Sequence, residues 1–112
     1  MINIIRRYFK IKKLQYVKID YTNYCGYLKS KLINLDQLRF IDCGVSYDKE
    51  SMCYVPELFF QFRKEQPIFN CWHELGQYIS PDYSQAIDSA KFQKHIIKLK
   101  QWKYYKAKYY DM

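Results

Sequence analysis

The densest cluster of reactive side chains in this sequence is Cys71-Trp-His73-Glu74. A cysteine beside a histidine can act as a nucleophile with its base, or supply two ligands to a metal ion. A structural zinc site needs four placed donors, and the chain has no second Cys/His pair at a compatible spacing. We therefore interpret this segment as a strand end with a core thiol and a half-exposed histidine.

The two histidines, His73 and His95, offer a second catalytic possibility. A metal-free ribonuclease can use two proton-transfer groups and an assisting lysine beside one phosphate. The sequence has no glycine-rich phosphate loop, no serine nucleophile elbow and no paired-carboxylate motif. We predict that the protein is not an enzyme and uses no metal or cofactor, with the His/Lys nuclease as the alternative.

The segment 98–110 interleaves lysines with aromatic residues. Lysines can hold phosphates while aromatic rings stack on exposed bases, so this segment indicates a nucleic-acid surface. Arginine, the better fork for phosphates and bases, is scarce, with four residues against fifteen lysines. The residues of this alternative binding site are Lys98, Lys100, Trp102, Lys103, Tyr104, Tyr105, Lys106, Lys108 and Tyr109.

Charge is unevenly distributed along the chain. Residues 1–33 carry eight basic groups and one acid, residues 34–90 four basic groups and nine acids, and residues 91–112 seven lysines and one acid. The net charge of +8 therefore comes from two basic ends around an acidic middle. This pattern differs from that of a uniformly basic protein that coats nucleic acid. It predicts either that the basic ends and the acidic middle attract one another in the fold, or that the protein presents two faces of opposite charge.

The surplus of tyrosine, 13 of 112 residues, indicates a contact surface. Tyrosine gives a large contact area at a small entropic cost. Our leading prediction is a non-catalytic protein that occludes one protein partner, of the inhibitor or immunity type, for example against a bacterial toxin. The predicted partner-binding residues of the acidic middle are Asp42, Asp48, Glu50, Glu57, Glu65 and Glu74.

The apolar runs, the cysteine spacing and the length of the chain predict its compartment and its number of domains. No stretch approaches the roughly 18 apolar residues that cross a membrane. The four cysteines form no Cys-x-x-Cys pair, and residues 1–10 show neither a long apolar run nor a small-residue cleavage site. We predict a cytoplasmic protein with reduced thiols, folded as a single domain over 1–112.

Local patterns predict the N-terminal elements. A short amphipathic helix would carry on one face Ile4, Ile5, Tyr8 and Phe9. Residues 14–19 alternate as in a short strand. Thr22 or Asn23 would then cap a second helix. The apolar side of that second helix would carry Tyr24, Tyr27, Leu28 and Leu32.

The middle of the chain alternates more regularly. Apolar and polar side chains alternate over 41–47 and 57–63, and polar segments between these runs indicate turns. We interpret 39–73 as a three-stranded antiparallel meander whose isolated acids lie on the wet face. The alternative is a helix over 56–65, because Pro56 suits a first helical turn.

The C-terminal helix has the clearest signals. Ser80-Pro81-Asp82 is typical of a helix start, and the helix should run to about residue 108. An apolar stripe is predicted to cover the sheet, and therefore to be withheld from lipid: Phe92, Ile96, Leu99 and Trp102. The predicted fold is α+β, with the small antiparallel meander packed against this long helix and N-terminal helical segments.

Overall fold

The structure, a computed structural model, describes residues 2–22, 28–63 and 71–110. A short 3₁₀ turn at Gly76–Tyr78 precedes the last helix. The helices and strands follow in the order α1 (Ile2–Gln15), β1 (Tyr16–Thr22), β2 (Leu28–Asn34), β3 (Leu38–Asp48), β4 (Cys53–Phe62), β5 (Cys71–Glu74) and α2 (Tyr83–Tyr109). The predicted α+β class and the N-terminal helix are both confirmed.

β1 and β2 form a two-stranded antiparallel sheet and pair along their whole length. The strand predicted over 14–19 is confirmed, although it lies a little later in the chain. The helix predicted to carry Leu32 is wrong over 28–34, where the structure has β2. Leu32 is exposed and Ile33 is buried, which is the two-residue alternation of a strand. The rest of that predicted helix, residues 23–27, lies outside the described residues.

β3, β4 and β5 form a three-stranded antiparallel sheet in that order, which confirms the predicted meander. The helix alternative for 56–65 is wrong over 56–62, where β4 is the central strand. The Pro56 carbonyl faces the β5 side, where it accepts a hydrogen bond from the Leu75 amide beyond the end of β5. The N–H and the C=O of one residue in an antiparallel strand point to the same side, so the missing N–H of Pro56 removes no bond from the β3–β4 ladder.

β4 is buried on both faces, which the alternation did not predict. Glu57 and Gln61 fall on polar positions of the alternating pattern, yet their side chains are only 3% and 5% exposed. Alternation indicates a wet face only when one face of a strand is open to solvent. The prediction that the acids of the meander lie on its wet face is therefore wrong for Glu57.

α2 begins where the sequence predicts. Oδ1 of Asp82 accepts a hydrogen bond from the Ser84 amide at 3.0 Å and caps the helix. Just before it, Oγ of Ser80 accepts a hydrogen bond from the Asp82 amide at 3.1 Å. The helix ends at Tyr109, close to the predicted end.

The predicted packing face of α2 is wrong. Phe92, Leu99 and Trp102 are exposed, and Ile96 is only half-buried. The buried face of the helix consists mainly of small side chains: Ala86, Ala90, Ile97, Tyr104 and Ala107. The three alanines let the helix backbone lie close to the strands, while Ile97 and Tyr104 reach into the core.

One apolar cluster joins the two sheets to α2. Its buried members are Val17, Ile33, Leu35, Leu38, Ile41, Leu58, Phe60, Leu75, Ile97 and Tyr104. Ile11 and Leu14 of α1 pack against the edge of this cluster. Within the described ranges, no helix is long and apolar enough to pass through a membrane.

Candidate functional site

A cleft between α1, β1 and α2 collects four lysines, and we call it the lysine cleft. Its volume is about 330 Å³. Lys13 comes from α1, Lys18 from β1, and Lys100 and Lys103 from successive turns of α2. The remaining lining residues are Leu14, Tyr16 and Val17. No acidic residue lines the cleft in the part of the chain that the structure describes, so it is a positively charged site with an apolar floor.

A second cavity of about 330 Å³ lies on the following part of α2, and we call it the aromatic groove. It is lined by Trp102, Tyr105, Lys106 and Tyr110. Nζ of Lys106 lies 5.3 Å from the centroid of the Trp102 ring, a cation–π contact. The side chains of Trp102 and Tyr110 are exposed. Lys103 and Lys106 are one helical turn apart, so they connect the lysine cleft with the aromatic groove.

The C-terminal half of α2, which carries both cavities, is anchored by Asp36 in the turn between β2 and β3. Oδ1 of Asp36 accepts hydrogen bonds from Nζ of Lys108 at 2.7 Å and from the Tyr104 hydroxyl at 2.8 Å. The bond from Lys108, and then that from Tyr104, lowers the pKa of Asp36. The same carboxylate raises the pKa of Lys108, and burial raises the pKa of Tyr104.

Further hydrogen bonds fix neighbouring turns of α2. Nε2 of Gln101 donates to the Leu38 carbonyl at 2.9 Å. The Tyr105 hydroxyl donates to the Leu35 carbonyl at 3.3 Å and accepts a hydrogen bond from Arg63 at 3.2 Å. The exposed lysines of the helix therefore extend from a backbone that is held at several positions.

α1 presents a separate surface, the α1 face, which consists of Ile4, Ile5, Tyr8 and Phe9. All four side chains are exposed, Ile4 by 73% and Phe9 by 64%. The rings of Tyr8 and Phe9 meet edge to face, with centroids 5.7 Å apart. Nζ of Lys12 lies 5.8 Å from the Tyr8 ring centroid, so a cation sits beside this apolar surface.

α1 packs on the protein through its other side. Ile11 and Leu14 contact the core cluster. Arg7 is half-buried and donates a hydrogen bond to the Lys108 carbonyl at 3.4 Å. The helix is thus docked by a narrow face and keeps its broader apolar face in solvent.

The structure divides the residues predicted to bind nucleic acid. Two of them, Lys100 and Lys103, line the lysine cleft, and three, Trp102, Tyr105 and Lys106, line the aromatic groove. Lys98 and Tyr109 are exposed on α2 outside both cavities. The other two serve the fold, because Tyr104 is 1% exposed and both Tyr104 and Lys108 bind Asp36.

Three of the acids predicted to bind a partner lie on the β3–β4 hairpin. Asp42 is exposed, and its Oδ1 lies 3.3 Å from Nζ of Lys94. Asp48 accepts a hydrogen bond from the Ser51 amide at 2.9 Å. Glu50 is exposed in the same turn, so Asp48 and Glu50 are neighbours while Asp42 lies further along the strand.

The other three predicted acids do not extend this group. Glu57 is buried and lies opposite the half-buried Glu74 in the β4–β5 ladder. Glu65 lies outside the described residues. The acidic middle therefore does not form one exposed acidic surface within the described residues.

The candidate catalytic groups lie on two different elements. Cys71 and His73 lie on β5, where their backbones pair with Phe60 and Leu58. His95 is exposed on α2. Among the described side chains, no three acidic, cysteine or histidine groups are placed to hold a metal ion.

Sequence reasoning missed Lys13 and Lys18 as partners of Lys100 and Lys103. The available signal was the excess of basic residues in both 1–33 and 91–112. The structure shows that these two basic ends meet in the lysine cleft.

No protein-family model matches this chain, and no curated protein or solved structure matches it.

Proposed function

We propose that this protein binds one protein partner through the α1 face and acts without catalysis, as an inhibitor of that partner. The observation that supports this proposal most directly is the exposure of four large apolar side chains on one face of α1. Contiguous exposed apolar surface is typical of interaction sites. An amphipathic helix of this kind can bind in a groove of another protein through residues one turn apart, such as Ile5 and Phe9.

Charge defines the chemistry of the partner. α1 contains five basic residues and no acidic residue. A partner groove with an apolar floor and acidic rims would match this helix, whereas a second copy of α1 would repel it. A basic nuclease toxin does not fit such a surface, so a toxin partner would need an acidic working surface.

A protein groove suits the α1 face better than a lipid surface. Helices that lie on membranes keep their cations on the face opposite the apolar one. Here Lys12 lies one turn after Tyr8, on the same side of the helix, with its ammonium over the ring. Tyrosine is also enriched at protein interfaces, and Tyr8 is exposed on the α1 face.

The experiment compares two double variants, each of which replaces two exposed apolar side chains with glutamine. Ile4→Gln with Phe9→Gln changes the α1 face. Met52→Gln with Phe92→Gln changes two side chains of similar exposure elsewhere. Each tagged protein is used to recover partners from an extract of the source cells, with nuclease added to half of each sample. The recovered protein is then purified and its affinity for all three forms is measured by calorimetry.

We expect one acidic protein, recovered near one-to-one in both halves, by the unchanged protein and by the Met52/Phe92 variant. The α1-face variant should bind it at least about tenfold more weakly, because anchor residues dominate interface energies. An inhibitor should also abolish the partner's own activity when added in equimolar amount. Equal binding by both variants contradicts the proposal. A dimer dispersed by the α1-face change, or selective binding to anionic vesicles, contradicts it as well.

A further inference from the structure

We infer that the lysine cleft and the aromatic groove together bind single-stranded nucleic acid, with phosphates in the cleft and a base in the groove. No residue of the α1 face lines either cavity, so this inference is independent of the proposed protein interface. The sequence alone indicated only the contribution of α2. The structure adds the side of the cleft formed by α1 and β1.

The charge of the cleft favours an anionic ligand. Lys13, Lys100 and Lys103 line a cavity of about 330 Å³ together with Lys18, and no acid lines the cleft within the described residues. Such a site favours a multiply charged anion, and releasing condensed counterions from a phosphate backbone adds to the binding free energy. The apolar floor, which includes Leu14 and Val17, can take the methylene stems of the lysines while their heads contact phosphates.

Hydrogen bonds and burial hold the backbone that carries these lysines. The corner between α1 and β1 is fixed, because the Gln15 carbonyl accepts a hydrogen bond from the Leu35 amide at 2.8 Å and Val17 is buried. On α2, Lys100 and Lys103 are held by the buried Tyr104 that follows them. Binding therefore costs side-chain ordering but little backbone ordering.

The aromatic groove favours a nucleic-acid strand over a small phosphorylated molecule. The aromatic groove begins one turn beyond the cleft, and the exposed Trp102 ring forms one of its sides. Lysine-lined tracks beside exposed rings bind single strands, because every unpaired base can stack on an aromatic ring. A lone phosphate or nucleotide would use the cleft without the groove, and a duplex offers no free base to Trp102.

The test measures binding of the purified full chain to a labelled oligodeoxythymidine of about 12 nucleotides. The same titrations are made with a duplex of equal length, with ATP and with pyrophosphate. The cleft variant combines Lys100→Gln and Lys103→Gln. Its matched control combines Lys49→Gln and Lys91→Gln, which removes the same charge at exposed positions outside both cavities. Trp102→Ala is paired with Phe92→Ala, since both rings are exposed on α2.

We expect oligonucleotide binding to weaken as the salt concentration rises. The slope of the logarithm of the binding constant against the logarithm of the salt concentration should fall in magnitude by about two in the cleft variant and stay unchanged in its control. Trp102 fluorescence should be quenched on binding, and Trp102→Ala should weaken oligonucleotide binding by about tenfold while Phe92→Ala does not. Equal loss in cleft variant and control overturns the inference. So does binding that is unchanged between about 50 and about 200 mM salt. Tighter binding of the duplex, ATP or pyrophosphate than of the single strand also overturns it.

Discussion

Nζ of Lys108 and the Tyr104 hydroxyl converge on one oxygen of Asp36, at 2.7 and 2.8 Å. Through this carboxylate the turn between β2 and β3 is tied to the last two turns of α2. The same turn accepts hydrogen bonds from Gln101 and Tyr105. The C-terminal end of the lysine-rich helix is therefore held to one turn by hydrogen bonds, two of which are accepted by a single carboxylate oxygen.

Replacing Asp36 with alanine should destabilise the protein by about 1 to 3 kcal/mol. The buried Tyr104 hydroxyl would lose its acceptor, and an unsatisfied buried polar group carries a cost of this size. Urea unfolding followed by circular dichroism measures the change. Asp88→Ala removes the same charge from an exposed position of α2 and should stay within about 0.5 kcal/mol. Equal effects of the two changes would contradict the anchoring role.

Stability should also depend on pH through Asp36. The pKa of its carboxyl lies below the ordinary 3.8, chiefly because Lys108 donates to it. A lowered pKa contributes stability that is fully present above the ordinary value and is lost as pH falls through the folded value. The stability difference between the unchanged protein and Asp36→Ala should therefore shrink below about pH 4. A difference that stays constant from neutral pH into strong acid would contradict this linkage.

The contribution of Lys108 to stability is lost at high pH, in contrast to that of Asp36, which is lost at low pH. Asp36 raises the pKa of Lys108 above its ordinary 10.5, so the contribution of this ammonium is complete below that value. It is lost only as pH rises through the raised pKa. Unfolding free energies of the unchanged protein and of Lys108→Met, measured from neutral pH to about pH 10, should differ by a constant amount. A difference that shrinks before pH 10 would show that this pairing does not control the titration.

Two residues on α2 test its packing face directly. Ile97 is 4% exposed and Leu99 is 46% exposed. Ile97→Ala should cost about 2 to 4 kcal/mol, because it leaves a cavity in the core. Leu99→Ala should cost less than about 1 kcal/mol, since little burial is lost and alanine favours the helix. Thermal or urea unfolding measures both losses of stability. A larger loss for Leu99→Ala than for Ile97→Ala would support the packing face predicted from the sequence.

The turn between β3 and β4 stores backbone strain at Met52. Its φ is +55°, the left-handed region that suits glycine, and its side chain is exposed. Met52→Gly should raise stability by about 0.5 kcal/mol, because relief of strain exceeds the added freedom of the unfolded chain. Met52→Ala keeps the strain and should have no such effect. If both variants stabilise equally in urea unfolding, the side chain and not the backbone is the cause.

Local chemistry explains which elements could be predicted from the sequence. The α2 start follows from Asp82, whose cap depends only on residues next to it. The meander follows from alternation along β3 and β4. The packing side of α2 could not be predicted, because the apolar stripe around Leu99 is stronger in the sequence than the alanine-rich face that the sheet selects. β4 shows the same limit, since burial of Glu57 depends on neighbouring elements.

The candidate sites also contain some residues that local sequence patterns predict and others that only distant contacts bring into place. Lys100 and Lys103 could be named because basic and aromatic residues cluster locally around them. Lys13 and Lys18 join them only through the docking of α1 against α2, a contact between distant parts of the chain. The outward position of the α1 face depends on that docking as well. Short-range patterns carry no information on such contacts.

The bond from Arg7 to the Lys108 carbonyl joins residues 101 positions apart. At usual rates of translation, roughly 5 to 20 seconds pass between the synthesis of one partner and the other. Throughout that time α1 has no helix to dock on, and both of its apolar sides are available to chaperones or to other nascent chains. The strands can pair as they emerge, so α1 must be the first helix made and among the last elements to reach its place.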